Sequence, residues 1–264
     1  MDNTLSVQGM REYLSSKVDP AQIHVYATLE STNTTAKELS ASEAAHGTVI
    51  IADGQTAGRG RYGRSFFSPP GHGIYISVIL LPERLTWEGS ATLITLRAAV
   101  SVCEVIEAAT GKTPLIKWVN DVFLEGKKIC GILTEAVTDS ESGQVTRLII
   151  GVGINFSTPE SQFPEVIRQT AGSIFMRDEP TVSRNRLAAE VVNKLMEAGE
   201  QPDEALIDNY KRRLFILGSR VTVMGAAETY EATAVDVDDA GHLLVKTDDG
   251  EIRSLSSGEV RISM

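Results

Sequence analysis

Three arginines alternate with glycines in GRGRYGR, residues 58–64, although the chain as a whole carries a net charge of −10 at pH 7. Glycine lets a backbone come close to an anion, and Arg59, Arg61 and Arg64 can each give it a charge-assisted bond of about 1.5–3 kcal/mol. That combination predicts a loop that is mobile when empty and orders around an anionic ligand; on composition alone a solvated basic turn is the competing reading. Two other stretches carry matching chemistry. In KWVNDVFLEGKKICG, Lys117, Asn120 and Asp121 end one strand, and Lys127 and Lys128 begin its hairpin partner. Pairing of those strands would bring ammonium, amide and carboxylate groups to the arginine loop. In GVGIN, Gly151 and Gly153 permit close backbone approach by a ligand, and the Asn155 amide can read a base edge; a bulge in a packed strand is the plainer alternative.

Other chemistries lack their context. Gly58, Gly60 and Gly63 match G-x-G-x-x-G, but a dinucleotide-binding turn must open a helix, and Arg64-Ser-Phe-Phe-Ser-Pro-Pro-Gly cannot continue one. Gly111-Lys112-Thr113 lacks the earlier glycine of a phosphate-binding P-loop. His24, His46, His72 and His242 show neither metal-ligand spacing nor a nucleophile triad. An acidic chain repels nucleic-acid phosphates, which disfavours nonspecific DNA binding. The acidic run Glu228, Glu231, Asp236, Asp238, Asp239, Asp248, Asp249 and Glu251, set against Lys246 alone, reads as a solvated face. Cys103 and Cys130 sit in apolar patterns, as buried thiols of a reducing compartment do. No signal-like apolar region or membrane-length stretch occurs, so a cytoplasmic protein is expected.

The elements that must position these residues follow from periodicity. A helix is expected over Val7–Lys17, an extended segment over 23–30, and a second helix capped by Ser31 and running through TTAKELSASEAA. TVIIAD and GIYISVILL read as buried strands flanking the arginine loop. Leu93, Leu96, Val100, Cys103 and Ile106 mark the buried stripe of a helix from Ser90 to Ala109. PLIKW follows, then VFLEGKK turning at Glu125-Gly126 into ICGILTEAV, then a Ser142-Gly143 turn into VTRLIIGVGINF. Helices are expected over 183–198 and 201–215. Five short strands after Gly218 suggest a small barrel. The fold class is therefore α+β: a mixed, largely antiparallel sheet packed with helices in a domain spanning 1–217, and a small β-barrel over 218–264.

On STNTTAKE, DGQTAGRGRYGRSFFSPPGHGIYIS, KWVNDVFLEGKKICGILTE, GVGINF and the terminal SGEVRI, the sequence resembles the biotin protein ligases, which activate biotin with ATP and attach it to a carrier-protein lysine. The resemblance implies a class II synthetase-like catalytic domain and an SH3-like barrel. It implies that Ser31, Thr32, Asn33 and Gln55 bond the ureido end of biotin, with backbone from Gly131. Gly58, Arg59, Gly60 and Arg61 would close over biotin's carboxylate and the ATP phosphates, Arg64 assisting. Lys128 would lie beside the reacting carboxyl and α-phosphate, binding both substrates. Lys117, Asn120 and Asp121 would hold the nucleotide and Mg²⁺, and Asn155 the adenine. Lys128, Arg61 and Asp121 are the implied catalytic groups, Asp121 as base or metal ligand.

Phe66 stands where the family commonly has a tryptophan over biotin, and Val119 where it usually has proline. About 25 residues precede the resembling region, too few for the DNA-binding domain of longer relatives, so the monofunctional form without DNA binding is expected. A biotin carboxyl carrier protein is the implied partner, with a homodimer open. A lipoate ligase and a noncatalytic biotin or adenylate sensor are the rival readings.

Overall fold

The computed structural model describes residues 3–40, 42–85, 91–197, 203–225 and 228–263. Ala41 of the expected second helix, Ser90 and the expected helix residues 198 and 201–202 lie outside them. The elements, in order, are α1 (Val7–Met10), β1 (Ile23–Leu29), α2 (Thr32–Glu38), β2 (Val49–Gln55), β3 (Gly73–Leu80), α3 (Ala91–Thr110), β4 (Leu115–Lys117), β5 (Asp121–Leu124), β6 (Lys127–Thr138), β7 (Val145–Asn155), α4 (Glu165–Arg168), α5 (Arg184–Glu197) and α6 (Asp203–Arg213). After them come β8 (Arg220–Met224), β9 (Thr229–Val237), β10 (Leu243–Thr247), β11 (Ile252–Leu255) and β12 (Glu259–Ile262).

Strands β1 to β7 form one sheet in the order β1-β2-β3-β7-β6-β5-β4. The β1–β2 pair is parallel and the other pairs are antiparallel, as the mixed, largely antiparallel expectation requires. Alternation along each strand divides the sheet's faces. Ile74, Ile76 and Val78 of β3, Cys130 and Ile132 of β6, and Ile150, Val152 and Ile154 of β7 join the main core with α3 and α5. The intervening residues Tyr75, Ser77, Gly131, Leu133, Gly151 and Gly153 face the other way, and all but Ser77 line a cleft there. Next to that cleft, Ala36 of α2 packs on Ile50, Ile79 and Ile149. The GVGIN glycines thus share one face while their β-branched neighbours anchor the core.

Helix α3 buries Leu93, Leu96, Val100, Cys103 and Ile106 as expected, and also Ile94, Ala98, Ala99, Val102 and Val105. It is buried on more than its stripe because α5 and α6 both pack against it. Burial pushes the Cys103 thiol up to about 12 and raises that of Cys130, leaving both unreactive at neutral pH. The Glu125-Gly126 hairpin has φ 51° and 77° at its two residues, as a two-residue turn matched to strand twist demands.

Two helices are shorter than expected. Helix α1 stops at Met10, followed by a 3-10 turn over Arg11–Tyr13. The reason is tertiary: Asn193 of α5 accepts from Ser15 N at 2.9 Å and donates to Tyr13 O at 2.7 Å, taking backbone groups a longer helix would use. Helix α2 ends at Glu38, where Arg147 donates to Leu39 O at 2.7 Å and Glu43 accepts from Ser40 N at 3.1 Å.

The last five strands form an antiparallel sheet, β11-β10-β9-β8-β12. Among its contacts with the rest of the chain, Trp118 Nε1 donates to Gly241 O at 3.2 Å, Lys211 pairs with Asp236 at 2.7 Å, and Arg64 pairs with Glu259. Among the described residues no helix is long and apolar enough to cross a membrane.

Candidate active site

The cleft has an amide-rich end and a cationic end. At the first, Ser31 caps α2 by accepting from Thr34 N at 3.5 Å, which frees its hydroxyl proton for the cleft. Gln55 Oε1 accepts from Thr32 N at 2.8 Å, and Gln55 Nε2 donates to Ser68 Oγ at 2.9 Å. Asn33 Nδ2 donates to Leu133 O at 3.2 Å and to Glu135 Oε2 at 2.8 Å, while its Oδ1 lies 2.6 Å from Ser77 Oγ. Burial pushes the Glu135 carboxyl up, but bonds from Lys37 and Asn33 and the nearby charge of Arg59 bring it below its ordinary value.

The floor between the two ends is made of glycine. Gly131 and Gly153 face each other across β6 and β7, and Phe66 lies over them: a Cβ would fall 3.1 Å from its ring at Gly131 and 2.7 Å at Gly153. At Gly151 a Cβ would fall 2.2 Å from Asn33 Oδ1. These glycines admit side chains of this chain onto the sheet, a closer approach than the expected ligand contact alone would need. Tyr75 stacks edge-on to Phe66 at 6.4 Å and donates to Pro69 O at 3.1 Å.

At the cationic end the arginine-glycine segment is a tight hairpin. Gly60 N bonds Arg64 O at 2.7 Å, Phe66 N bonds Gly58 O at 2.8 Å, and Tyr62 and Gly63 form the tip with φ 57° and 73°. Arg59, Gly60, Arg61 and Arg64 all line the cleft. Arg61 reaches Asn120 Oδ1 and Gly258 O, each at 3.5 Å, and Tyr62 Oη at 3.1 Å. Arg64 is turned to Glu259, whose carboxyl burial would raise but which Arg64 and Arg261 hold below its ordinary value.

Lys117, Trp118, Asn120, Asp121 and Lys128 supply the opposite wall. Tyr210 Oη donates to Val119 O at 3.1 Å and Asn120 Nδ2 to Ile132 O at 2.7 Å, which fixes the turn between β4 and β5. Lys128 Nζ pairs with Asp121 Oδ1 at 2.6 Å. Burial lowers the Lys117 ammonium, partly offset by Asp121 and Glu259. A desolvated cation beside a cleft favours an anion there.

Two expected site residues do not line the cleft. Gly58 sits beneath the hairpin, where a Cβ would fall 2.5 Å from Phe66 O. Asn155 is buried, donates to Gly172 O at 2.9 Å, and leaves Oδ1 without a partner. Conversely, Ser77, Glu135, Gly258 and Glu259 belong to the site or its support and were not singled out. Nothing local in the chain relates β12 to a loop some two hundred residues earlier.

Comparison with known proteins gives the family. Residues 25–155 match the Biotin/lipoate A/B protein ligase family, and residues 216–262 match the Biotin protein ligase C terminal domain. The Bifunctional ligase/repressor BirA of Bacillus spizizenii is 33% identical over 98% of this chain and 79% of its own length. The chain belongs to the biotin protein ligase family. The Biotin--[acetyl-CoA-carboxylase] ligase of Mycobacterium tuberculosis is 31% identical over 90% of this chain and 88% of its own. Among solved structures, the biotin protein ligase from Aquifex aeolicus in complex with biotin and ATP superposes with a TM-score of 0.78 at 28% identity, covering 91% of this chain and 99% of that one.

Proposed function

We propose that this chain joins biotin to the α-phosphate of ATP, releasing pyrophosphate, and transfers the biotinyl group to a lysine of a biotin carboxyl carrier domain. The observation that carries this is the adjacency, on one sheet face, of an amide-lined end and a cationic end linked by a glycine floor. A bicyclic urea with a carboxylate-bearing tail matches that sequence of surfaces. Ser31 offers a donor to the urea oxygen and Asn33 Oδ1 an acceptor to a ring N–H. Phe66 covers the apolar ring system. A lipoate-type dithiolane has no N–H for Asn33, which favours the biotin reading.

The carboxylate and the triphosphate repel each other, so in-line attack needs their charge neutralised and their atoms aligned. Arg59, Arg61, Lys117 and Lys128, which all line the cleft, would do this. The carboxylate oxygen bonds the α-phosphorus as its bond to the pyrophosphate oxygen breaks. The acyl-adenylate formed is open to hydrolysis, and the hairpin over the cleft excludes water. In transfer, the carrier amine bonds the acyl carbon and AMP leaves; Lys128 stabilises the charge developing on the acyl oxygen, and Asp121 accepts the amine's proton.

Among the described residues no three carboxylate, histidine or cysteine side chains gather as a metal cage. A single carboxylate beside the phosphate region is the donor set of a Mg²⁺ carried largely by the nucleotide, and Asp121 with Asn120 would hold it there. Such an ion would supply further neutralisation of the phosphates. Asn155, the residue the resemblance would give to the adenine, has an unpartnered Oδ1 but does not line the cleft, so no contact with the nucleotide is derived for it. The test is incubation with a carrier domain, biotin, ATP and Mg²⁺. One biotinyl mass added to the carrier, with pyrophosphate released, is the expected result; binding without pyrophosphate release would make the protein a sensor instead.

A further inference from the structure

We propose that Glu135, which does not line the cleft, is a positioning residue that fixes which end of the Asn33 carboxamide faces the substrate and so makes the site selective for a ring bearing an N–H. The inference rests on the reading of the cleft as a biotin site. The two ends of a carboxamide are nearly the same size and opposite in hydrogen-bonding sense, so their orientation decides whether the cleft presents an acceptor or a donor. Here the environment leaves one choice. Leu133 O and the Glu135 carboxylate can only accept, and both contact Nδ2, at 3.2 and 2.8 Å. Ser77 Oγ, 2.6 Å from Asn33 Oδ1 and 2.8 Å from Thr32 Oγ1, can give its single proton to Oδ1.

The Ser77 hydroxyl alone could not enforce this, because it would turn to suit either end of the amide. Leu133 O, also an acceptor only, favours the same end through the longer contact at 3.2 Å, and Glu135, which has no proton to offer when ionised, adds the shorter one at 2.8 Å. Lys37 Nζ holds its other oxygen, Oε1, at 2.5 Å, so the carboxylate is braced from behind while it faces Asn33. Gly151 leaves Oδ1 no room to retreat into β7. With Nδ2 committed to two acceptors and one lone pair of Oδ1 given to Ser77, the remaining lone pair is an acceptor for one ligand N–H. A ring oxygen at that place would meet lone pair with lone pair.

The test compares binding of biotin and of the cyclic carbamate in which the N–H facing Asn33 is replaced by oxygen, by calorimetry, with adenylation kinetics alongside. The wild type should prefer biotin by at least about 100-fold. In Glu135→Gln, whose amide can donate to a turned Asn33, the preference should shrink by about 10-fold, with the KM for ATP unchanged. Lys37→Met, which keeps the carboxylate but removes its brace, should give an intermediate preference and serves if Glu135→Gln folds poorly. On an Asn33→Ser background, Glu135→Gln should change the preference no further. An undiminished preference in both single variants, or equal weakening of both ligands, would overturn the positioning role while leaving the biotin reading intact. A wild type that binds neither ligand would overturn both.

Discussion

Phe66 packs so closely over Gly153 that a methyl group there would lie 2.7 Å from its ring. Gly153→Ala must therefore displace the aromatic lid. The expected outcome is a rise of about 10- to 100-fold in the KM for biotin, corresponding to about 1.4–2.7 kcal/mol, with little change in the KM for ATP. Steady-state kinetics with each substrate varied in turn would show it.

Lys128 and Arg61 are assigned to the reacting charge and carry no core packing. Lys128→Gln and Arg61→Met should each lower adenylate formation by about 100- to 1000-fold while leaving the circular dichroism spectrum unchanged. Pyrophosphate release in single turnovers is the measurement. Wild-type rates in either variant would remove that residue from the chemistry.

The Lys117 ammonium is depressed by burial, and bound phosphates favour its charged form. ATP binding should accordingly draw in a proton as the pH climbs past the lysine's lowered value, so the KM for ATP should rise on the alkaline side by at most about 10-fold per pH unit. Lys117→Arg stays charged and should flatten that rise.

Arg64 is more than half exposed, with a side-chain exposure of 57%, so its pair with Glu259 should contribute less than about 1 kcal/mol to stability. Its effect should appear in the loop instead. Glu259→Gln should speed tryptic cleavage after Arg61 and Arg64 in the free protein, and biotin with ATP should slow it again. Because the Glu259 carboxyl is held low, the pair is complete above the ordinary glutamate value and is lost only as the pH falls through the depressed one, so wild-type cleavage should show no loosening of the loop at mildly acidic pH.

Arg184 is fully buried and donates to Gly73 O, Asn3 O and Asp53, while Asp53 also accepts from Gly71 N at 2.9 Å. Arg184→Met would leave the buried Gly73 carbonyl and the partly buried Asn3 carbonyl and Asp53 carboxylate short of a partner. A loss of about 2–3 kcal/mol in urea denaturation is expected.

Local pattern was enough to find the arginine loop, the Glu125-Gly126 hairpin, the α3 stripe and the short C-terminal strands, because each depends on residues a few positions apart. The same locality explains the early ends of α1 and α2, which were set by Asn193 and Arg147 from distant elements. GVGIN shows the limit most clearly. Its alternation shows that Gly151 and Gly153 share a face, but not which side chains that face would receive.

By itself the sequence determined which chemistry the chain carries: cations on glycines, an amide-rich helix start, and a lysine-bearing hairpin, in an order shared with one family. Tertiary structure alone decided how they serve one another, placing Glu135 behind Asn33, Phe66 over Gly153 and Glu259 against Arg64. The physical reason is that strand order and register, β3 beside β7 and β7 beside β6, arise from burying a whole sheet face at once. No short window of residues contains that free energy.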